Sequence, residues 1–411
     1  MASYRDMNIR RQIIENALPN PYFYPYVSLA PNLSSSTMDE RIIVDPNIQY
    51  SLEGQDCFNA YPSLYLPNSR VNPYNNCYYG SIPAQEPSYY LDLQIKIITS
   101  NLDTSATNID EKLINPRNLM ICLDKIWVCI PGCVREYNFW GTPTGKNIGV
   151  FGTLGNIVSP SCIVFNDNLD FFPIVKGSVC EASTMLVATL DGTINAFNPR
   201  INPDNTILVV DNCACNSVYT GIAIYRNMVY VTDFFNQKID VFDDKFNPIL
   251  DVLFIDPCPD VIPDDFAPYN IVNIGDFLYV TYACQNPYEN QYELDGTGLG
   301  YINVFTINGI FVKRFASRGT LNVPWGIIEA PTHFGYPAGS LFISNFGSGT
   351  INVFDINGCY ISNIRDSSGI DLFVSGLRGI ACLSFNSKTI YWTSDCDHRV
   401  SGLGTINIGK Q

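Results

Sequence analysis

A hairpin-like unit recurs six times along this chain of 411 residues, and no other property of the sequence restricts its fold as strongly. In its clearest copy, "LFISNFGSGTINVFDINGCY" at 341–360, two runs of alternating apolar and small polar residues flank a Gly/Ser turn. Aligned on the second run, the copies read "CVREYN" from 133, "TINAFN" from 193, "KIDVFD" from 238, "YINVFT" from 301, "TINVFD" from 350 and "TINIGK" from 405. Each follows another β-rich run: "KIWVCI" from 125, "TMLVATL" from 184, "MVYVTDF" from 228, "FLYVTYA" from 277, "SLFISNF" from 340 and "TIYWTSD" from 389. Alternation with period two marks strands with one buried face. The turns "LDGT", "FNQK" and "FGSGT" supply the positive φ angles that hairpins need.

Further upstream a narrower strand recurs as "GIAIY" from 221, "YNIVN" from 269, "WGIIE" from 325 and "RGIAC" from 378, with small residues that permit crowding. A fourth strand is expected after each hairpin, as in "PILDVLFI" from 248 and "IFVKRFAS" from 310. Four antiparallel strands repeated in this way predict an all-β fold, a six-bladed β-propeller with almost no room for helices. The sixth copy stops at Gln411, just after its third strand. A lone β-type segment, "LDLQIKIIT" at 91–99, precedes the first inner strand, "RNLMIC" from 117, and is expected to supply the missing partner and close the ring. The expected division is an extended arm over 1–90 and the propeller over 91–411.

The runs at 266–285, 298–327 and 340–361 resemble the bacterial six-bladed propeller family related to NHL repeats, and the resemblance extends over about residues 91–411. It implies the fold and carries no settled reaction. Related six-bladed propellers include sugar lactonases that bind calcium in the central channel through acidic and amide side chains. The equivalent strand-end positions here are Ile130, Thr189, Asp233, Tyr282, Asn345 and Ser394, a mixed set rather than a ring of oxygen ligands. Of these, Asp233, Tyr282 and Asn345 are the candidate binding residues, with capping of adjacent turns as the plainer reading for Asp233 and Asn345. In the acidic run "IDPCPDVIPDDFAP", Asp260, Asp264 and Asp265 are the candidate calcium ligands, set against a plain inter-blade loop. Calcium is the one cofactor under consideration, and the leading expectation is none.

Composition narrows the partners. Lys and Arg number 24 against 39 Asp and Glu, a net charge of -15, and such a field repels phosphate backbones and anionic membranes. No stretch reaches the roughly 20 apolar residues that cross a bilayer. The start, "MASYRDMNIRRQIIENALPN", lacks the apolar core of a secretory signal, so a cytoplasmic or virion-associated location is expected. The 14 cysteines include no C-x-x-C pair and only Cys213 and Cys215 as C-x-C, which leaves open buried thiols or disulfides formed in an oxidising place.

Other motifs are set aside. "GTPTGKN" at 141–147 is one residue short of a phosphate loop and is read as a plain loop. "GTGLG" at 296–300 leads into a strand, so no helix N-terminus awaits a pyrophosphate. His333 and His398 lack a nearby nucleophile in a recognisable setting. Arg318 and Trp325 are expected to support the passage from an outer to an inner strand. The sequon at Asn32 matters only in a secretory pathway.

Residues 1–90 are rich in Pro, Tyr, Asn and Ser, with a short helix expected near 5–18 and a strand near 39–52. Such a segment suits binding along another surface or wrapping its own propeller, where Cys57 and Cys77 could bridge. The leading expectation is a non-enzymatic structural or interaction protein whose arm binds a protein partner or mediates self-assembly. The Asn-, Ile- and Tyr-rich, Arg-poor composition suits an A+T-rich genome such as that of an amoebal giant virus, so a virion component is within this expectation. The alternative is a calcium-dependent lactonase-like hydrolase or sugar-binding propeller with its site in the axial channel.

Overall fold

A computed structural model describes residues 92–258, 261–396 and 400–409. The predicted arm, with its helix, strand, sequon and Cys57–Cys77 pair, lies outside the described residues, as do Asp260 and His398. Two strands, β1 (Leu93–Ser100) and β2 (Asn108–Ile109), precede the first complete sheet. Blade 1 is then β3 (Leu119–Cys122), β4 (Lys125–Ile130), β5 (Cys133–Tyr137) and β6 (Pro143–Gly149), paired in that order. Blade 2 begins with β7 (Pro160–Phe165), is interrupted by a hairpin of β8 (Pro173–Lys176) and β9 (Val179–Ala182), and continues with β10 (Met185–Thr189), β11 (Thr193–Phe197) and β12 (Ile207–Asp211).

Blade 3 has three strands, β13 (Tyr219–Tyr225), β14 (Met228–Asp233) and β15 (Lys238–Phe242). Blade 4 is β16 (Phe266–Ile274), β17 (Phe277–Cys284), β18 (Gly300–Thr306) and β19 (Phe311–Ser317). Blade 5 is β20 (Pro324–Glu329), β21 (Leu341–Asn345), β22 (Ile351–Phe354) and β23 (Tyr360–Asn363). Blade 6 is β24 (Leu377–Cys382), β25 (Thr389–Cys396) and β26 (Val400–Ile408), and its outer partner is β1, with β2 beyond in parallel.

The ring therefore closes as the sequence predicts. β1 runs antiparallel to β26, with Leu93 opposite Ile408, Ile95 opposite Ile406 and Ile97 opposite Gly404. This pairing joins opposite ends of the propeller chain and covers the edge that β26 would otherwise expose. Leu93 is buried among Trp392, Ile406 and Phe342, with Ile95 and Ile97 packed against the same cluster, so closure gains apolar burial as well as ladder bonds.

The core is a ring of layers rather than a single centre. Six apolar clusters each join two neighbouring blades, including the cluster that joins blade 6 to blade 1 through Tyr391, Leu403, Val128 and Tyr137. β10 shows how period two builds this. Its Leu186 and Ala188 pack toward blade 3, while Met185 and Val187 pack toward blade 1. Both faces of the strand are buried, and Met185, Leu186 and Val187 so placed each contribute about 1.5–3 kcal/mol. In the hairpin of blade 5, Gly349 turns at φ 66° and its N–H donates to the Asn345 carbonyl at 2.8 Å, a conformation that favours glycine.

Two local expectations are corrected. Residues 248–255 do not form the fourth strand of blade 3. Only Phe242 bridges to Pro248, after which the segment crosses to blade 4. There Phe254 stacks edge-on against Tyr230 at 6.1 Å and Phe305 at 5.1 Å, and the Asp256 carboxylate pairs with Arg314. A buried charge partner and an aromatic slot between two blades outcompete the ladder bonds an edge strand would gain. The other correction concerns "GTPTGKN": Pro143–Gly149 is β6, the outer strand of blade 1, rather than a loop. Its proline sits at the first strand position, where no ladder donor is needed.

Candidate functional site

The six inner strands enclose a cavity of about 330 Å³ on the propeller axis, lined by residues of every blade. Its wall is Asn118 from blade 1, Cys162–Val164 from blade 2, Ile222–Ile224 from blade 3, Asn270–Asn273 from blade 4, Trp325–Ile327 from blade 5, and Gly379 and Ile380 from blade 6. Pairing with the second strands sets the equivalence between blades. Leu119 faces Val128, Ile163 faces Val187, Ile222 faces Val231, Ile271 faces Val280 and Ile327 faces Ile343, while Ile380 faces Trp392.

Two positions before each of these lies one residue per blade, a ring of six by register: Arg117, Ser161, Thr220, Tyr269, Trp325 and Arg378, of which Trp325 lines the cavity. In blades 2 to 6 the pairing register shifts next to this position, so the ring residues sit on bulges that re-aim their side chains.

Hydroxyls from the second strands lock these bulges to one another. Gly326 N–H donates to Ser344 Oγ at 2.8 Å, and that hydroxyl donates to the carbonyl of Arg378 in the next blade at 2.6 Å. Thr393 repeats the pattern, accepting from Gly379 N–H at 3.1 Å and donating to the Arg117 carbonyl at 3.0 Å. Thr232 donates to the Tyr269 carbonyl at 3.3 Å, and in blade 4 the Asn270 amide reaches the Trp325 carbonyl at 2.9 Å. The equivalent residue in blade 2 is Ala188, and there Ser161 takes over, donating to the Tyr219 carbonyl at 2.5 Å. Blade 1 has Cys129 at this position and joins blade 2 through Asn118 Nδ2, which donates to Cys162 Sγ at 2.7 Å. Burial pushes the Cys129 thiol well above its ordinary value and Cys162 up to about 11, so both stay protonated.

On one side of the ring the polar residues gather. Arg378 is only 3% exposed, and its guanidinium lies 3.8 Å from the Phe346 ring centroid and 5.7 Å from that of Trp325. Its Nη1 is 3.6 Å from Glu293 Oε1, an ion pair beyond hydrogen-bond length. Nε and Nη1 of Arg378 and Nε1 of Trp325 are buried with no hydrogen-bond partner among the described residues. Arg117, from the adjacent blade, keeps partial exposure. Burial, then the positive charge of Arg378, lower its pKa to about 10, with Tyr269, Glu293 and Asp395 opposing. At neutral pH it remains charged. Burial, then the Glu293 charge, push the Tyr269 hydroxyl up.

Two of the residues expected as binding candidates, Asp233 and Asn345, are engaged within their own blades. Asp233 Oδ1 accepts from Val218 N–H at 3.0 Å and from Asn236 N–H at 3.3 Å, while Oδ2 accepts from Asn236 Nδ2 at 2.8 Å. Lys238 Nζ stands 3.8 Å from the same carboxylate, and burial raises the Asp233 pKa. Asn345 accepts from Asn322 N–H at 2.9 Å and donates to Asn352 Oδ1 at 2.7 Å. Tyr282 is buried between blades 3 and 4. In the acidic run, the Asp264 carbonyl accepts from Gln237 Nε2 at 2.5 Å, and the Asp265 carboxylate accepts from Cys284 Sγ at 3.6 Å. Among the described residues no three His, Cys, Asp or Glu side chains gather as metal ligands.

His333 lies in the short 3-10 turn Thr332–Phe334, away from the axis wall. Arg318 turns at φ 52° between β19 and β20 and donates to the Tyr301 hydroxyl at 2.6 Å. Trp325 does more than support that passage, because it forms part of the channel wall. Ten described cysteines are outside any disulfide, four of them buried, and Cys258 is disulfide-bonded. The sequence reading missed Arg117 and Arg378. The available signal was the polar or aromatic residue two places before each inner-strand aliphatic, which becomes visible only once the six strands are in register.

No protein-family model matches the chain. Among solved structures, it is similar to a streptogramin B lyase (TM-score 0.45, 11% identity, 77% of this chain and 97% of the other). It is similar also to the Pan2 WD40 domain of Neurospora crassa (TM-score 0.42, 11% identity, 72% and 76%). At these scores the likeness adds nothing to the strand pairing itself. Sequence relatives are nearer, and all three are from Acanthamoeba polyphaga mimivirus. Uncharacterized protein R640 is 43% identical over 99% of both chains. Uncharacterized protein L690 is 36% identical over 75% of this chain and 84% of its own, and uncharacterized protein R648 is 35% identical over 75% and 78%. No helix among the described residues is long and apolar enough to cross a membrane. The chain belongs to the family formed by these mimivirus proteins, with the fold of a six-bladed β-propeller.

Proposed function

We propose that the protein is a non-enzymatic interaction scaffold, a component of a giant-virus particle that docks a protein partner through its loops and its N-terminal arm. The observation that carries this reading is a bridged loop between blades 1 and 2. Phe151 bridges to Ile157, Gly152 N–H donates to the Asn156 carbonyl at 2.9 Å, and the loop holds Leu154 at 95% and Ile157 at 74% exposure. Two large apolar residues held outward, with Phe151 at 37% exposure beside them, favour burial against another protein. The mimivirus origin of the relatives supports the particle setting. A calcium-centred hydrolase needs carboxylates or amides converging on one point of the channel, and the lining residues offer three amides among hydrocarbon and a thiol with no carboxylate beside them, so the scaffold reading is preferred.

The test is quantitative proteomics of purified particles, combined with a photo-crosslinker at Leu154 in the full-length chain. A fixed copy number relative to capsid protein and one dominant cross-linked partner are expected. Absence from particles, with no cross-linked partner in infected cells, would overturn the reading.

A further inference from the structure

The loop that carries Leu154 and Ile157 is flanked by aspartates of blade 2. Thr153 Oγ1 donates to Asp211 Oδ2, and Ser159 N–H donates to Asp191 Oδ2 at 2.7 Å. At the root of the loop, Gly149 N–H donates to the Asp204 carbonyl at 2.8 Å. All three aspartates are exposed. Lys146 stands 3.4 Å from Asp204, an exposed pair of little weight, and among the described residues no ion pair reaches Asp191 or Asp211. An apolar centre with carboxylates at its rim fits a segment that brings aliphatic side chains and cations together.

The chain itself has such a segment. Residues 1–91 hold five arginines and no lysine. Of these only Arg10 and Arg11 are adjacent, and in "IRRQII" at 9–14 they are flanked by Ile9, Ile13 and Ile14. The other aliphatic run with an arginine, "DERIIVD" at 39–45, carries three acids, which the same rim repels. The arm joins the propeller at blade 6, where the Asp92 carbonyl accepts from Gly409 N–H at 2.6 Å, and blade 6 packs against blade 1, from which the loop leaves. Residues 15–91 lie between Ile14 and that root, 77 residues, and a flexible chain of such length spans about 45–50 Å. Tethering over that reach gives an effective concentration on the order of a millimolar, above that of a second copy in dilute solution.

We propose that residues 9–14 dock on the Leu154 loop of their own chain, with Ile9, Ile13 and Ile14 covering Leu154 and Ile157 and with Arg10 and Arg11 facing Asp191 and Asp211. The arm is then an intramolecular strap that covers the docking site until a partner displaces it. Release frees the loop and the arm together. The strap rests on the partner reading given above for this loop and adds its regulation. Exposed charge pairs over a small apolar contact make a weak clasp, as a displaceable cover requires.

The test places a photo-crosslinking residue at Leu154 of the full-length chain, at micromolar concentration with no partner added, and maps the links in the monomer band by mass spectrometry. Links to residues 5–18 are expected. Their yield is expected to fall about fivefold or more in the double variant Arg10→Glu, Arg11→Glu. No link to that stretch, links only between two chains, or an unchanged yield in the folded variant would each overturn the strap. If the variant fails to fold by circular dichroism, the wild-type yield decides: it should fall between about 50 mM and about 500 mM salt, and a constant yield overturns the proposal. The partner reading stands or falls separately, on particle proteomics and on links formed in infected cells.

Discussion

The Ser344 hydroxyl donates to the main-chain carbonyl of Arg378, one blade further on, while accepting from Gly326 in its own blade. The same atom thus pins a bulge and fastens two sheets. Hydrophobic layers alone fix the spacing between blades but tolerate sliding, whereas this bond sets their register at the axis, where Arg378 is presented.

Ser344→Ala leaves a buried carbonyl and a buried N–H without this partner. A loss of about 1–3 kcal/mol in urea unfolding is expected. Ser344→Thr, which keeps the hydroxyl, should recover most of it. An alanine variant as stable as wild type would show that the bond contributes nothing net.

Closure depends on β1. Ile95→Pro removes an N–H and forces a fixed φ into the strand opposite Ile406, and a loss of about 3 kcal/mol or more is expected. Deleting residues 93–100 should leave β26 as an open edge and turn a monodisperse chain into an aggregating one, followed by light scattering. A deletion that stays monodisperse with unchanged melting would refute the closing role.

The crossing segment of blade 3 is held by Asp256, whose carboxylate accepts from Asn303 Nδ2 at 3.2 Å and pairs with Arg314. Asp256→Ala strands the buried Arg314 charge, and a destabilisation of about 3–5 kcal/mol is expected. Hydrogen exchange should rise in 248–258 before it rises in β19. Uniform exchange across both would argue against the clasp.

Lys313 provides a pH signature. Its ammonium donates to the Ile356 carbonyl at 2.9 Å and lies 5.1 Å from the Phe315 ring, but burial lowers its pKa from 10.5 to about 8. Between those values the unfolded chain binds a proton that the folded chain has released, so this lysine makes stability rise with pH across that window and costs stability below it. In Lys313→Met that rise should vanish. Paired denaturation curves at a series of pH values check the difference, and parallel slopes in the two proteins would contradict it.

The periodic strands, the count of blades and the closing β segment could be read from residue order because each depends on local alternation and on repetition. "TINVFD" and "KIDVFD" announce their faces without any neighbour present. The crossing of 248–258 could not be read, since its β-rich pattern suits an edge strand, and the partners that draw it away, Arg314 for Asp256 and the Tyr230–Phe305 slot for Phe254, are distant in sequence. Nor could the surroundings of the strand-end residues be read: Asp233 and Asn345 are hydrogen-bonded within their own blades, while Tyr282 packs between blades 3 and 4.

What the chain's order settled by itself is the repeating unit and its closure, because strand periodicity is carried by adjacent residues. What only the folded ring decided is how its two ends meet. Arg117 and Arg378 stand 261 residues apart in the numbering, and residue order says nothing of their approach. Six stacked sheets and their hydroxyl bonds bring blade 6 beside blade 1, where Thr393 reaches the Arg117 carbonyl at 3.0 Å.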